Sequence, residues 1–142
     1  MSTKFVLGVL TVAAVTAMFA GNAQAEIPKD GLYEFTNRTE VGVVQFDARL
    51  EKVGERGGDG IYLLHTGGGD NEAGFLSAES SKEGAKVDYV GDNETHWVLH
   101  KNSAGWSLHH VDNGANCLST KGSYSLRRAQ GTKDQLWEMK LQ

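Results

Sequence analysis

The eleven residues GTKDQLWEMKL, Gly131 to Leu141, decide the fold because an upstream stretch repeats their frame. That stretch is GDNETHWVLHK, Gly91 to Lys101. In both, a glycine precedes a tryptophan by six positions, mostly polar residues lie between them, and apolar residues follow at every second position, at Trp97 and Leu99 and at Trp137, Met139 and Leu141. Alternation with a period of two is typical of a half-buried β-strand. The two copies therefore predict an internal repeat that ends in a tryptophan strand.

Three glycine-led segments are candidate starts for such repeats. They are GLYEF from Gly31, GIYLL from Gly60 and GWSLH from Gly105. The second residue of an apolar pair follows these starts after 13, 16 and 13 positions, at Val44, Leu76 and Leu118. The first unit is short, and Leu50 to Val53 is predicted as its compressed fourth strand. Since such units cannot bury their apolar faces alone, we predict three repeats, about 31–59, 60–104 and 105–142, around a shared core.

Stretches with helical periodicity are nearly absent after residue 25. Short alternating segments separated by glycine-rich turns recur instead, and 18 of the 142 residues are glycine. This pattern predicts an all-β domain over residues 26–142, and that length suits a single domain.

The amino terminus has the order of a secretory signal peptide. Lys4 precedes an apolar run from Phe5 to Ala20, and small and polar residues then end in Ala23-Gln24-Ala25. We predict cleavage after Ala25, with residues 1–25 as the signal peptide and a secreted, extracellular protein. A membrane-spanning helix needs about 20 apolar residues, and this shorter run is interrupted by Thr11 and Thr16, so no membrane span is predicted.

The charge of residues 26–142 argues against polyanionic partners. They contain 13 basic and 18 acidic residues, a formal charge of −5. Nucleic acid and anionic membranes are bound by clustered Lys and Arg, and Arg127-Arg128 is the only dense basic pair. We therefore expect neither as a partner. The lone Cys117 cannot form a disulfide within the chain and is predicted to be a buried, inert thiol.

Several short motifs resemble the β-trefoil of ricin B-type lectins. They are the glycine-led strand from Gly31 to Phe35, the Leu-Ser pairs at Leu76-Ser77 and Leu118-Ser119, and the Gln-x-Trp motif Gln135-Leu136-Trp137. The resemblance covers nearly all of residues 30–142. It implies a β-trefoil of three degenerate repeats and a secreted carbohydrate-binding protein. Trp97 and Trp137 are predicted to serve the core, because buried indole rings supply large apolar areas.

The resemblance also implies where sugars would bind. Such lectins use an Asp just after the apolar pair, an aromatic ring on the next strand and polar groups beside Gln-x-Trp. Here the Asp positions are Gln45, Ser77 and Ser119, and the ring positions in the second and third repeats are Val90 and Arg127. The sugar sites are therefore predicted to be degenerate.

One polar loop remains a candidate ligand site in the third repeat. It runs from Val111 to Asn116 and is predicted to face Asp134 and Gln135. The predicted ligand-binding residues are Asp112, Asn113, Asn116, Asp134 and Gln135. The alternative interpretation of the loop is an Asn-Gly turn, at Asn113-Gly114, that joins two strands.

A second function class stays open, a secreted β-trefoil protease inhibitor that acts through an exposed loop. The two longest polar loop candidates for that role are Glu51 to Asp59 and Gly67 to Gly74. The partner is thus expected to be a glycan or an extracellular protein, and the sequence does not indicate an oligomeric state.

The sequence favours neither a metal, nor a cofactor, nor catalysis. His96 and His100 lie on one face of a strand but about 13 Å apart, too far to share one ion, and adjacent His109 and His110 face opposite ways. No Gly-x-Ser-x-Gly elbow or phosphate loop occurs, and the protein is predicted not to be an enzyme. Two sequons, at Asn37 and Asn93, could accept glycans or could be turn asparagines.

Overall fold

The computed structural model describes residues 27–67 and 74–142. The predicted signal peptide and most of the Gly67 to Gly74 segment lie outside the described residues. The described chain is all-β, as predicted, and has ten strands and one short 3-10 helix. The strands are Gly31–Thr39 (β1), Gly42–Arg56 (β2), Asp59–Thr66 (β3), Gly74–Ala78 (β4), Val87–Gly91 (β5), Trp97–Asn102 (β6), Gly105–His110 (β7), Asn113–Ser119 (β8), Ser125–Arg128 (β9) and Glu138–Leu141 (β10); the 3-10 helix is Lys133–Gln135.

Six strands follow one another edge to edge and close into a barrel. The order is β10-β1-β2-β3-β6-β7, and the pairs are antiparallel. Trp106 on β7 and Trp137, just before β10, exchange two backbone hydrogen bonds of 2.8 Å, which link the last strand of this path back to the first. Because the barrel is closed, each of these strands pairs with a neighbour on both sides over at least part of its length. This protects the sheet from pairing with other chains.

Two hairpins extend from the barrel. β4 pairs with β3 and β5, and β8 pairs with β7 and β9. The hairpins meet where the Ala85 carbonyl accepts from Leu126 N–H and Val87 N–H donates to the Tyr124 carbonyl. In the first third of the chain β2 instead runs unbroken for 15 residues, from its pairing with β1 to its pairing with β3. The predicted remnant strand, Leu50 to Val53, is therefore a continuous part of β2.

The core is built around aromatic rings. Trp97 and Trp137 are fully buried, as expected, and their indole N–H groups donate to the carbonyls of Leu76 and Leu118 at 2.9 and 3.3 Å. Phe46 stacks on Phe35 and meets the Trp137 ring edge-on, with ring centres 4.9 and 5.3 Å apart. Each tryptophan thus supplies buried apolar area and satisfies the carbonyl of a neighbouring strand.

Two predicted loops are tight turns in the structure. The segment from Glu51 to Asp59 is a β-hairpin, because β2 continues to Arg56 and β3 begins at Asp59. Gly57 and Gly58 join the strands with φ of 59° and 87°, a conformation that favours glycine and matches the twist of a two-residue hairpin. This prediction of a long loop was wrong. The predicted Asn113-Gly114 turn was also misplaced, since both residues belong to β8 and Val111-Asp112 form the turn.

The two sequons differ in exposure. Asn37 is fully buried, and its side-chain Nδ2 donates to the carbonyls of Lys133 and Leu136 at 2.9 and 3.0 Å. Nδ2 is the atom to which a glycan would be attached, so the folded protein does not present Asn37 for modification. The Asn37 amide anchors the 3-10 helix to β1. Asn93, by contrast, is exposed.

Candidate functional site

The structure does not bring the five predicted ligand-binding residues together. Asp112 and Asn113 lie at the β7–β8 turn, whereas Asp134 lies near the far end of β8, where it contacts Ser119. Five residues of β8 lie between Asn113 and Ser119, a span of at most about 20 Å that the irregular pairing of β8 with β7 shortens. At the turn, Asp112 N–H donates to His110 Nδ1 and the Asn113 side chain accepts from Ala115 N–H. These bonds stabilise the turn.

Two of the five residues are buried and bonded to the backbone. The Gln135 side chain, 3% exposed, donates to the Arg128 carbonyl and accepts from Gln130 N–H, both at 2.8 Å. Asn116, 5% exposed, donates through Nδ2 to the Ser81 carbonyl at 2.9 Å. Both amides hold loops in place, and neither presents a free polar group to a ligand.

Asp134 is the predicted residue that combines a charge with partial exposure. Its Oδ2 accepts a 2.6 Å hydrogen bond from Ser119 Oγ. Burial alone would raise the pKa of this carboxyl group, but hydrogen bonds from Ser119, Thr132 and its own backbone N–H, together with the charge of Lys121, lower it below its ordinary value. Asp134 is therefore a fixed carboxylate at neutral pH.

Asp134 lines an open cleft between β9 and the 3-10 helix, which we name the β9 cleft. Its volume is about 420 Å³. Polar and charged side chains dominate the lining, which consists of Glu83, Lys121, Gly122, Arg127, Arg128, Gln130, Thr132, Asp134 and Gln135. The cleft therefore offers hydrogen-bond donors and acceptors of both charges within one space that a small ligand could fill.

A short relay of hydrogen bonds orients Arg127 in this cleft. The buried Ser125 hydroxyl donates to the Lys121 carbonyl at 2.9 Å and accepts from Arg127 Nε at 3.1 Å. A Cβ placed on Gly122 would lie 3.8 Å from Arg127 Nη2, so the guanidinium lies beside the β8–β9 loop. The relay occupies Nε, and within the described residues the two terminal nitrogens donate to no protein acceptor.

A second cleft lies beside the β4–β5 hairpin, and we name it the β5 cleft. Its volume is about 510 Å³. The charged residues that line it are Glu79, Lys86, Asp88 and Asp92, and the rings of Tyr89 and Tyr124 form part of its wall. The β8–β9 loop borders both clefts, because Lys121 and Gly122 line one and Ser123 and Tyr124 line the other.

Histidines form contacts elsewhere that the sequence did not predict. His100 Nδ1 lies 2.9 Å from Asp59 Oδ2, and the ring centres of His100 and His109 are 6.4 Å apart. The buried Ser107 hydroxyl lies 2.8 Å from His109 Nε2. In the part of the chain that the structure describes, no three His, Cys, Asp or Glu side chains are grouped to hold a metal ion. No described helix is long and apolar enough to cross a membrane.

The sequence interpretation overlooked several lining residues of the β9 cleft. Lys121, Gln130 and Thr132 carry no motif, and Arg128 was considered only as half of a basic pair. The one available signal was Arg127, at the position where the resembling lectins place a ring. Arg127 removes the stacking ring, which is why the sequence predicts a degenerate sugar site. It also adds a positive charge that could serve a different ligand.

Comparisons with known proteins give a fold and no family. No protein-family model matches the chain, and no curated protein has a detectably similar sequence. Among solved structures, the chain is similar to the crystal structure of the Rhizoctonia solani agglutinin, with a TM-score of 0.62 and 12% sequence identity. The match covers 81% of this chain and 97% of that chain. At this identity the likeness shows that the two chains share an all-β fold.

Proposed function

We propose that this protein binds carbohydrate in the β9 cleft and acts as a secreted, lectin-like protein. The observation that carries the proposal is the Asp134 carboxylate, held by Ser119 among the cationic and amide side chains of an open cleft. The carboxylate serves as the acceptor for sugar hydroxyls, and the surrounding side chains donate to ring and hydroxyl oxygens.

The chemistry of the cleft fits a polyhydroxylated ligand better than an apolar one. A sugar presents hydroxyl groups that both donate and accept, and each exchanges a bond to water for a bond to protein. Hydrogen bonds to a charged acceptor such as Asp134 are about twice as strong as neutral ones, which offsets the desolvation of the hydroxyls. A volume of about 420 Å³ is within the usual range for small-molecule sites.

The proposed fold is a β-trefoil of three degenerate repeats, with boundaries near 31–59, 60–104 and 105–142. Strands that begin at Gly31, Asp59 and Gly105 support it, as do the corresponding hydrogen bonds from Trp97 and Trp137 to the carbonyls of Leu76 and Leu118. In this proposal the first repeat has lost its third strand, and the unbroken β2 takes the places of its second and fourth. The similarity to the Rhizoctonia solani agglutinin, with a TM-score of 0.62, supports the all-β class of this fold.

The proposal predicts binding that depends on one carboxylate. On a glycan array, the wild-type protein should bind a defined set of saccharides, and Asp134→Asn should lose most of that signal while it keeps the size and shape of the side chain. Asp112→Asn is the matched control, because Asp112 is exposed on the β7–β8 turn, away from the cleft. Equal losses for both variants would contradict the assignment to the β9 cleft.

A protease panel tests the competing function class on the same sample. Inhibition of a protease at nanomolar concentration, together with no saccharide bound on the array, would replace the lectin proposal with the inhibitor. Secretion is tested separately, since sequencing the amino terminus of the protein from the culture medium should give Glu26 as the first residue.

A further inference from the structure

We infer that the saccharide bound in the β9 cleft is acidic, and that its carboxylate is held by the guanidinium group of Arg127, with the charge of the neighbouring Arg128 adding to the attraction. This inference rests on the proposed function and adds the class of sugar. Five observations carry it, namely the charge balance of the cleft, the absence of salt bridges to its cations, the fixed orientation of Arg127, the place of Asp134, and the net charge of the whole protein.

The β9 cleft carries a local positive charge on a negative protein. Three cations line it, Lys121, Arg127 and Arg128, against two carboxylates, Glu83 and Asp134. The formal charge of the whole chain is −4. A surplus of one positive charge matches one carboxylate per sugar residue.

No salt bridge joins Lys121, Arg127 or Arg128 to a carboxylate in the described part of the chain, although the charge of Lys121 acts on Asp134. The salt bridges found there include those of Arg38 with Glu138, Lys52 with Glu55, His65 with Glu51 and His100 with Asp59. Glu83 and Asp134 therefore lie more than 4 Å from the charged groups of Lys121, Arg127 and Arg128. An incoming carboxylate does not have to displace an internal partner.

The orientation of Arg127 suits a planar anion. With Nε bonded to Ser125, the guanidinium presents Nη1 and Nη2 as a pair of parallel donors. Two parallel N–H···O bonds to one carboxylate are the preferred geometry of such pairs, and a guanidinium that is already positioned loses less freedom when the ligand binds. Asp134 then remains on the other side of the cleft to accept from the sugar hydroxyls.

The same charges argue against a polyanion. A densely sulfated chain or a nucleic acid needs several adjacent cations, and beyond the cleft the protein's net negative charge repels both. A saccharide with isolated carboxylates, such as a hexuronate or a sialic acid unit, meets the cleft without that repulsion.

A matched pair of ligands tests the inference directly. The methyl glycoside of galacturonic acid and its methyl ester differ at the carboxylate, which esterification neutralises and enlarges by one methyl group, and isothermal titration calorimetry measures both against the wild-type protein. We expect the acid to bind about tenfold or more tightly than the ester, since loss of a charge-assisted bidentate pair is worth at least that factor. N-acetylneuraminic acid and its methyl ester repeat the comparison for a second acidic sugar, and a singly sulfated galactoside gives the alternative anion.

Variants locate the effect. Arg127→Gln and Arg128→Gln should each reduce the preference for acid over ester, and Arg127→Lys should not restore it, because an ammonium group lacks the two parallel donors. Lys86→Gln is the matched control, since it removes one exposed cation from the β5 cleft. Circular dichroism and a thermal melt confirm that each variant is folded.

The outcomes separate this inference from the function beneath it. Equal binding of acid and ester, with Asp134→Asn still abolishing both, overturns the acidic-sugar inference and leaves the lectin proposal standing. Preference for the sulfated galactoside over both acids overturns the carboxylate assignment. No binding by any neutral, carboxylated or sulfated saccharide overturns the proposed function itself.

Discussion

The β5 cleft and the β9 cleft occupy corresponding places beside the two hairpins, and their buried parts agree closely. Behind the first, Trp97 N–H donates to the Leu76 carbonyl and the Ser77 hydroxyl bonds to the segment before Trp97. Behind the second, Trp137 N–H donates to the Leu118 carbonyl, and the Ser119 hydroxyl bonds to Asp134. In both places the leucine carbonyl of a Leu-Ser pair accepts a hydrogen bond from a tryptophan indole. The serine hydroxyl of the same pair bonds to the segment that precedes that tryptophan.

The exposed parts of the two clefts differ in sign. Glu79, Asp88 and Asp92 outnumber Lys86 in the β5 cleft, whereas Lys121, Arg127 and Arg128 outnumber two carboxylates in the β9 cleft. Core positions are constrained by packing at close to crystal density, but exposed positions beside them tolerate any polar residue. The same buried arrangement can therefore carry two exposed surfaces of opposite charge, and the exposed residues decide which ligand binds.

Truncation of either tryptophan is the strongest test of the shared frame. Trp97→Ala and Trp137→Ala should each lower the free energy of unfolding by about 3–5 kcal/mol, because each removes a fully buried ring and leaves a cavity. Urea denaturation followed by circular dichroism measures the loss, and Trp→Phe at the same sites should show a smaller one if the alanine variants unfold. Arg128→Ala is the control and should change the stability by less than about 0.5 kcal/mol. A loss of stability below about 1 kcal/mol at only one of the two tryptophans would show that their buried surroundings are not equivalent.

Alanine substitutions of Gln135 and Thr95, which lie two positions before Trp137 and Trp97, should lower the free energy of unfolding by different amounts. Gln135→Ala leaves the Gln130 N–H and the Arg128 carbonyl without their partner and should cost about 1–3 kcal/mol. Thr95→Ala removes a single bond, from Ala78 N–H, and should cost about 1 kcal/mol. Gln130→Ala, at an exposed neighbour, is the control. If Gln135→Ala instead kept its stability and lost saccharide binding, Gln135 would be a ligand-binding residue after all.

The sequence predicted the buried part of this comparison and not the exposed part. Alternating apolar residues and glycine turns are physical requirements of strands and hairpins, so the all-β class and the buried tryptophans could be predicted from the residues. The Gln135 amide was assigned to a ligand because a polar residue beside Gln-x-Trp can serve either role. Burial decides between those roles, and burial depends on how the 3-10 helix packs beside β9.

The sequence pattern also did not contain the distances in space between segments of the chain. The loop from Val111 to Asn116 was expected to face Asp134, but β8 is extended and carries Asn113 away from Ser119. The Glu51 to Asp59 segment looked like a long polar loop, because charged residues on the exposed face of a strand have the composition of a loop. Pairing with β3 makes it a hairpin, and pairing is a property of two segments that a one-dimensional pattern does not contain.

Acid should distinguish Asp134 from an ordinary surface carboxyl group. Its pKa in the folded protein is below the ordinary value of 3.8, so the stability it contributes is fully present above that value and is lost as the pH falls through the folded pKa. Asp134→Asn should therefore flatten the fall in stability between about pH 4 and pH 2 relative to wild type. NMR titration of the carboxyl carbon gives the pKa directly, and Ser119→Ala should raise it by removing a hydrogen bond to the carboxylate. A wild-type value at or above 3.8 would contradict the fixed carboxylate.

The smallest expected effect lies in the β5 cleft and concerns its two tyrosines. The Tyr89 hydroxyl donates to the Asp47 carbonyl at 3.1 Å, so Tyr89→Phe should cost about 0.5–1 kcal/mol. Within the described residues no hydrogen bond joins the Tyr124 hydroxyl to the protein, so Tyr124→Phe should cost less than about 0.5 kcal/mol. Burial, and then the nearby Tyr89 hydroxyl, raise the pKa of Tyr124, so spectrophotometric titration should find it protonated beyond the ordinary value of 10.0. A cost at Tyr124 larger than at Tyr89 would mean that the Tyr124 hydroxyl bonds to the protein, and the β5 cleft would then have one neutral donor fewer to offer a ligand.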